Sequence, residues 1–130
     1  MSERETAWAV ITPAGELAWY PLAAEEQVRE LVGGRFGALD TSTLNPYESL
    51  ARKVLASDVG AVYPDDYPAN PLARLVITAL SAGYRTQAWR GTVALVEYET
   101  DGPEVLWPGE MSPEWAEAIT KAVRRGQDNS

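Results

Sequence analysis

The sequence predicts a single α+β domain, built on an antiparallel or mixed sheet of about five strands with three to four helices packed mainly on one face. Three stretches carry that prediction. Asn70 to Leu80 reads as an apolar helix, Thr92 to Tyr98 as a β-branched and aromatic strand, and Ala7 to Tyr20 as two alternating strands around Pro13-Ala14-Gly15. A length of 130 residues suits one domain over 1–130, with 1–6 and 127–130 as flexible tails.

In chain order, Ala7 to Thr12 places Trp8 and Val10 on one face and Ala7, Ala9 and Ile11 on the other, so both faces are covered and the strand is interior. Leu17 and Trp19 share a face of the next strand, which Pro21 ends. Ala23 to Val32 shows helical spacing at Ala24, Val28, Leu31 and Val32, with Glu25 and Glu26 favoured by the helix dipole and Gly33-Gly34 as the stop. Arg35 to Leu39 reads as a short strand, followed by the polar stretch Asp40 to Leu44. Asn45-Pro46 with Glu48 resembles a capping box, and Tyr47, Leu50, Ala51, Val54 and Leu55 make an apolar stripe, which predicts a helix from Pro46 to about Ala56. Val59 to Tyr63 is a further strand candidate.

Three prolines in Tyr63 to Pro71 require a loop. Asn70 then caps a helix, Pro71 fits its first turn, and the apolar residues from Leu72 to Leu80 predict burial nearly all round, with Gly83 as the stop. After the strand Thr92 to Tyr98, Asp101-Gly102-Pro103 is a turn and Glu104 to Trp107 a short edge strand. Ser112 and Pro113 open a last helix with Trp115, Ala118, Ile119, Ala122 and Val123 buried. Acids begin it, Lys121, Arg124 and Arg125 end it, and Gly126 stops it.

Composition narrows function more by exclusion than by signature. The chain has no Cys and no His. Thiolate chemistry, disulfides, imidazole ligands and a Ser-His-Asp triad are therefore absent, and a reducing cytoplasm is the expected location. No apolar run approaches the roughly 20 residues that span a bilayer, and the charged start lacks a signal core. A formal charge of −8 opposes direct binding to phosphate backbones. From Gly91 to Thr120 there are seven acids and no base, which is either a solubilising face or a surface offered to a basic partner.

Candidate binding residues fall in three places. Asp65 and Asp66 sit between Tyr63 and Tyr67 in a stiff loop; paired carboxylates suit Mg²⁺ or acid–base work, but the local sequence supplies no further oxygen ligands, and a plain turn is the simpler reading. Trp89-Arg90-Gly91 marks the entry to the late strand. Gly91 suggests a bulge or a close backbone approach, and Trp89 with Arg90 is either an interface pair or a packed Trp beside a snorkelling Arg. Trp89 and Trp107 are the tryptophans left for exposure, since Trp8, Trp19 and Trp115 fall on core stripes. Glu97, Glu99, Asp101 and Glu104 form the densest part of the acidic run. VGGRFG, Val32 to Gly37, follows a helix and leads into a strand, the wrong order for a phosphate loop.

Five pieces together carry a resemblance: AVITPAGEL (Ala9 to Leu17), LVGG (Leu31 to Gly34), an acidic loop after Val62-Tyr63, PANPLA (Pro68 to Ala73) and GTVALV (Gly91 to Val96). Over about Ala7 to Tyr98 the chain resembles the small phage, prophage and actinobacterial proteins of the domain of unknown function 3846 family. That resemblance implies a small α+β domain in a mobile-element setting, with no established reaction. The segment Asn45 to Ala56 and the last helix depart from it.

The expectation is a non-enzymatic interaction protein, with no cofactor, metal or catalytic residue, that offers an acidic surface to a basic protein partner and in its sharpest form mimics DNA. One alternative is a small-molecule or nucleotide binder in which Tyr67, Asn70, Trp89 and Arg90 line a pocket. The other is a Mg²⁺-dependent enzyme using Asp65 and Asp66. Oligomeric state and strand order stay open.

Overall fold

The computed structural model describes residues 7–33, 40–43, 52–56, 63, 65–83, 86, 88–100, 106–108 and 111–128, with backbone alone at 40–43, 52, 53, 55, 98–100 and 106–108. The class is α+β, and every strand pairing described is antiparallel. The strands are β1 (Trp8–Ile11), β2 (Leu17–Tyr20), β3 (Asp40–Thr43), β4 (Arg52–Ala56), β5 (Val93–Thr100) and β6 (Leu106–Pro108). The helices are α1 (Glu25–Gly33), α2 (Pro71–Leu80) and α3 (Pro113–Asp128), with a short 3-10 turn at Leu22–Ala24 before α1.

The sheet runs β2-β1-β5-β4-β3, and β6 extends it by pairing with the far end of β5. The hairpin joins Ile11 to Leu17, and Gly15 takes the positive φ of +87° that its turn demands. All four residues of β1 are buried, as a strand covered on both faces requires. β1 and β5 are interior, whereas β2 is an edge, so the hairpin contributes one central strand rather than two.

Alternation along the central strands builds two cores. Ala9, Ile11, Val54, Val93 and Leu95 face α2 and α3, meeting Val76, Ile77, Trp115 and Ile119. Trp8, Val10, Ala94 and Val96 face the other way, onto Val28 and Val32 of α1. Helices therefore cover both faces, two on one side and α1 on the other, where packing mainly on one face was expected. A strand buried on both sides, such as β1, needs this second cover.

The largest departure is β4. The predicted helix from Pro46 is a strand over its last five residues, Arg52–Ala56, paired with β3 and β5; Pro46 to Ala51 lies outside the described residues. Val54 and Ala56 alternate inward at period two, and β5 satisfies the backbone of this segment, so a non-local ladder overrides a local helical stripe. β3 occupies part of the polar stretch Asp40 to Leu44, where no strand was expected, with Thr41 opposite Leu55. The strand expected at Arg35 to Leu39, most of that at Val59 to Tyr63 and the turn at Asp101 to Pro103 lie outside the described residues. Tyr63 itself is in no strand.

Two helical stripes also differ from expectation. Leu31 of α1 is 42% exposed and Leu75 of α2 is 45% exposed, so α2 is amphipathic and not buried all round. Trp19, expected in the core, lies on edge strand β2 and is 36% exposed. Gln127 and Asp128, expected in a flexible tail, belong to α3, and the Gln127 side-chain amide donates to the carbonyl of Gly15 at 3.0 Å.

Candidate functional site

The residues around Tyr67, Asn70, Trp89 and Arg90 form one joint, where the proline-rich loop, the start of α2 and the entry to β5 meet. Asn70 is 1% exposed and uses its carboxamide fully. Its Oδ1 accepts from the Ala73 amide at 3.1 Å, capping α2, and its Nδ2 donates to the carbonyls of Ile11 at 3.0 Å and Gly91 at 2.8 Å. One side chain thus fastens α2 to β1 and to the residues leading into β5. The Asn70 amide donates to Trp89 O at 3.0 Å and the Gly91 amide to Pro68 O at 2.7 Å, a short antiparallel clasp centred on the bridge between Ala69 and Arg90.

Tyr67 is buried, and its hydroxyl donates to the carbonyl of Gly33 at 2.6 Å, tying the loop to the end of α1. Its ring lies over Gly91, which has φ +73°; a Cβ there would meet Tyr67 Cδ1 at 2.8 Å. The close backbone approach expected at Gly91 is therefore present, and its cause is the Tyr67 ring. Arg90 is half-buried, and its Nε donates to the Tyr67 carbonyl at 2.9 Å.

Trp89 is 7% exposed, so it is a core residue and not a surface one. The side chain of Trp107 lies outside the described residues. Asn70 and Trp89 do line a cavity of about 160 Å³ with Ala69, Pro71, Arg74 and Ala88, but Tyr67 and Arg90 are not in its wall. Pockets for drug-sized ligands run from about 300 to 1,000 Å³, so this one is too small for a nucleotide. The four residues come together as a structural clasp and not as one pocket.

The acids separate into different roles. Asp65 and Asp66 are exposed at the tip of a turn closed by amide donations from Asp66 and Tyr67 to the Tyr63 carbonyl, at 3.0 and 3.1 Å. Among the described residues no three acids converge as a metal site would require. Glu97 is half-buried and its carboxylate accepts from the Ser112 amide at 2.8 Å and faces the Ser112 hydroxyl at 3.5 Å. Ser112 in turn caps α3 through the Trp115 amide at 3.4 Å, so Glu97 sits against the positive end of that helix. Glu99 lies on β5 opposite Trp107 with its side chain undescribed, and Asp101 and Glu104 lie outside the described residues. Glu114 and Glu117 of α3 are exposed.

One feature of the surface is not legible from motifs. A groove of about 310 Å³ runs between α2 and α3, lined by Leu75 and Ala79 on one side and by Ala118, Lys121, Ala122 and Arg125 on the other. Its sequence signal is weak: small residues at Ala118 and Ala122, and a Leu at position 75 off the buried stripe.

No family model, curated protein or solved structure matches the chain. No described helix is long and apolar enough to cross a membrane.

Proposed function

We propose that this chain is a binding protein with no reaction of its own, which presents carboxylates on stiff supports to a basic protein partner. The observation that carries the reading is the mounting of Asp65 and Asp66. Both are exposed, yet the turn beneath them is closed on Tyr63 and anchored through the Tyr67 hydroxyl to Gly33. A pre-ordered loop loses little conformational entropy on binding, and fixed anionic groups on a chain of charge −8 attract basic surfaces. A DNA mimic that occupies the basic channel of a nucleic-acid enzyme is the specific form of this proposal, and the resemblance to a phage and prophage family suggests the setting.

The test is capture from a bacterial lysate by the parent chain and by a D65N/D66N variant, at low and at high salt, with duplex DNA added as a competitor. Support is a basic nucleic-acid protein held at low salt by the parent, lost by the variant and displaced by DNA. Equal capture by both chains, or capture indifferent to salt and to DNA, refutes the reading. Neutralising Glu97 would be a poor test, because its carboxylate also holds the start of α3.

A further inference from the structure

The groove between α2 and α3 carries a charge order that selects its occupant. Glu114, Ala118, Lys121 and Arg125 follow one another at intervals of four, three and four residues, which places them on one stripe of α3; the last three line the groove and Glu114 stands one turn beyond it. Glu114, Lys121 and Arg125 are exposed and Ala118 is half-buried. Arg125 has no ion pair among the described residues, and Lys121 meets Glu117 at 3.6 Å in a contact where both side chains are about 70% exposed (70% and 68%). Leu75 projects beside them with nearly half of its surface in solvent, and Ala79 is also exposed.

A uniformly acidic helix would satisfy Lys121 and Arg125 but would be repelled at Glu114, and a basic one would meet the reverse problem. The stripe asks for a helix with its charges in the opposite order and a small residue opposite Lys121. The chain itself supplies that helix when α3 is turned end for end. In an antiparallel pair centred between Ile119 and Thr120, Glu114 stands opposite Arg125 and Ala118 opposite Lys121, and each pairing occurs twice by symmetry. The small Ala118 leaves room for the Lys121 stem, and the second α3 covers Leu75 and Ala79. Charges more than about 8 Å apart are screened at physiological salt, which weakens the long-range repulsion between two acidic chains relative to contacts made at the seam.

We propose that the α2–α3 groove is the seat of a second copy of this chain, joined through antiparallel α3 helices in a two-fold, four-helix contact. The dimer covers Lys121 and Arg125, two of the 11 basic residues, and leaves the remaining surface more uniformly acidic. This goes beyond the binding function proposed above and does not depend on it.

The experiment is sedimentation equilibrium of the full chain across a concentration series, with E114R, R125E and the double variant E114R/R125E. The expected mass rises from 14.2 kDa toward twice that value. Each single reversal sets like charges face to face and weakens association by about tenfold or more, and the double variant restores it. A second measurement uses the absence of native cysteine, which makes any disulfide intermolecular. A118C, next to the two-fold axis, should cross-link under mild oxidation, whereas D128C, at the far end of α3, should not. A chain that stays monomeric overturns the proposal. So does a dimer that neither reversal weakens, because its contact then lies elsewhere.

Discussion

The carboxamide of Asn70 donates to the main-chain carbonyl of Gly91 at 2.8 Å, and through that bond the cap of α2 also fastens the entry to β5. The same nitrogen reaches Ile11 at the end of β1, so three elements share one buried polar group. Asn is required because the site asks for two donors and one acceptor at once.

N70D removes both donors and points a carboxylate at two carbonyl oxygens. The expected loss at neutral pH is about 3–5 kcal/mol, the range for an uncompensated buried charge. Burial disfavours the ionised form, so the native state holds the proton to a higher pH than the unfolded chain, whose value is about 3.9. The native state then binds more protons, and stability falls as pH rises through the folded value and recovers as pH drops. Urea midpoints of N70D relative to the parent at about pH 5 and about pH 8 measure this; a gap that does not widen at the higher pH counts against the account.

G91A meets two obstacles, a φ of +73° and the Tyr67 ring at 2.8 Å. Gly15 shares only the first, with φ +87° and nothing within 4 Å of an added Cβ. G15A should therefore cost about 1 kcal/mol and G91A about 2–3 kcal/mol. Equal losses in chemical denaturation would show that the ring yields freely.

Y67F keeps the ring over Gly91 and removes the hydroxyl from the Gly33 carbonyl. The expected loss is about 1–2 kcal/mol. Because that bond anchors the loop carrying Asp65 and Asp66, amide exchange at Asp66 should quicken more than exchange in β1. Uniform acceleration would mean that the bond contributes to global stability alone.

Glu97 and Ser112 act together at the start of α3. E97A and S112A should each cost about 1 kcal/mol, but the double variant should lose less than their sum, because Glu97 contacts the residue that S112A alters. Strict additivity in thermal melts would separate the two contributions.

D65N should leave stability within about 0.5 kcal/mol of the parent, as substitutions at exposed positions usually do. A larger shift in thermal melts would reveal a structural task for the Asp65 carboxylate beyond the turn.

The elements readable in the sequence are those whose signals are local. Asn70 followed by Pro71, Ser112 followed by Pro113, Pro13-Ala14-Gly15 and the two-sided pattern of Trp8 to Ile11 each state their own structure, because caps, restricted φ and period-two alternation act within a few residues. The stripe from Tyr47 to Leu55 misleads for the complementary reason. Its helical spacing is a local preference, whereas the backbone partners that make Arg52–Ala56 a strand lie outside the segment, in β3 and, some 40 residues away, in β5.

The candidate site divides along the same line. Sequence alone determined that His and Cys chemistry are absent, that the charge is strongly acidic, that the proline-rich stretch is a loop and that Gly91 marks either a bulge or a close approach. Only the tertiary structure decided that Tyr67 is what approaches Gly91, that Trp89 is buried, that Glu97 holds α3, and that Leu75 and Arg125 border a groove. Each of these depends on which distant segment is brought near, and a side chain's exposure is a property of its neighbours in space rather than of its neighbours in the chain.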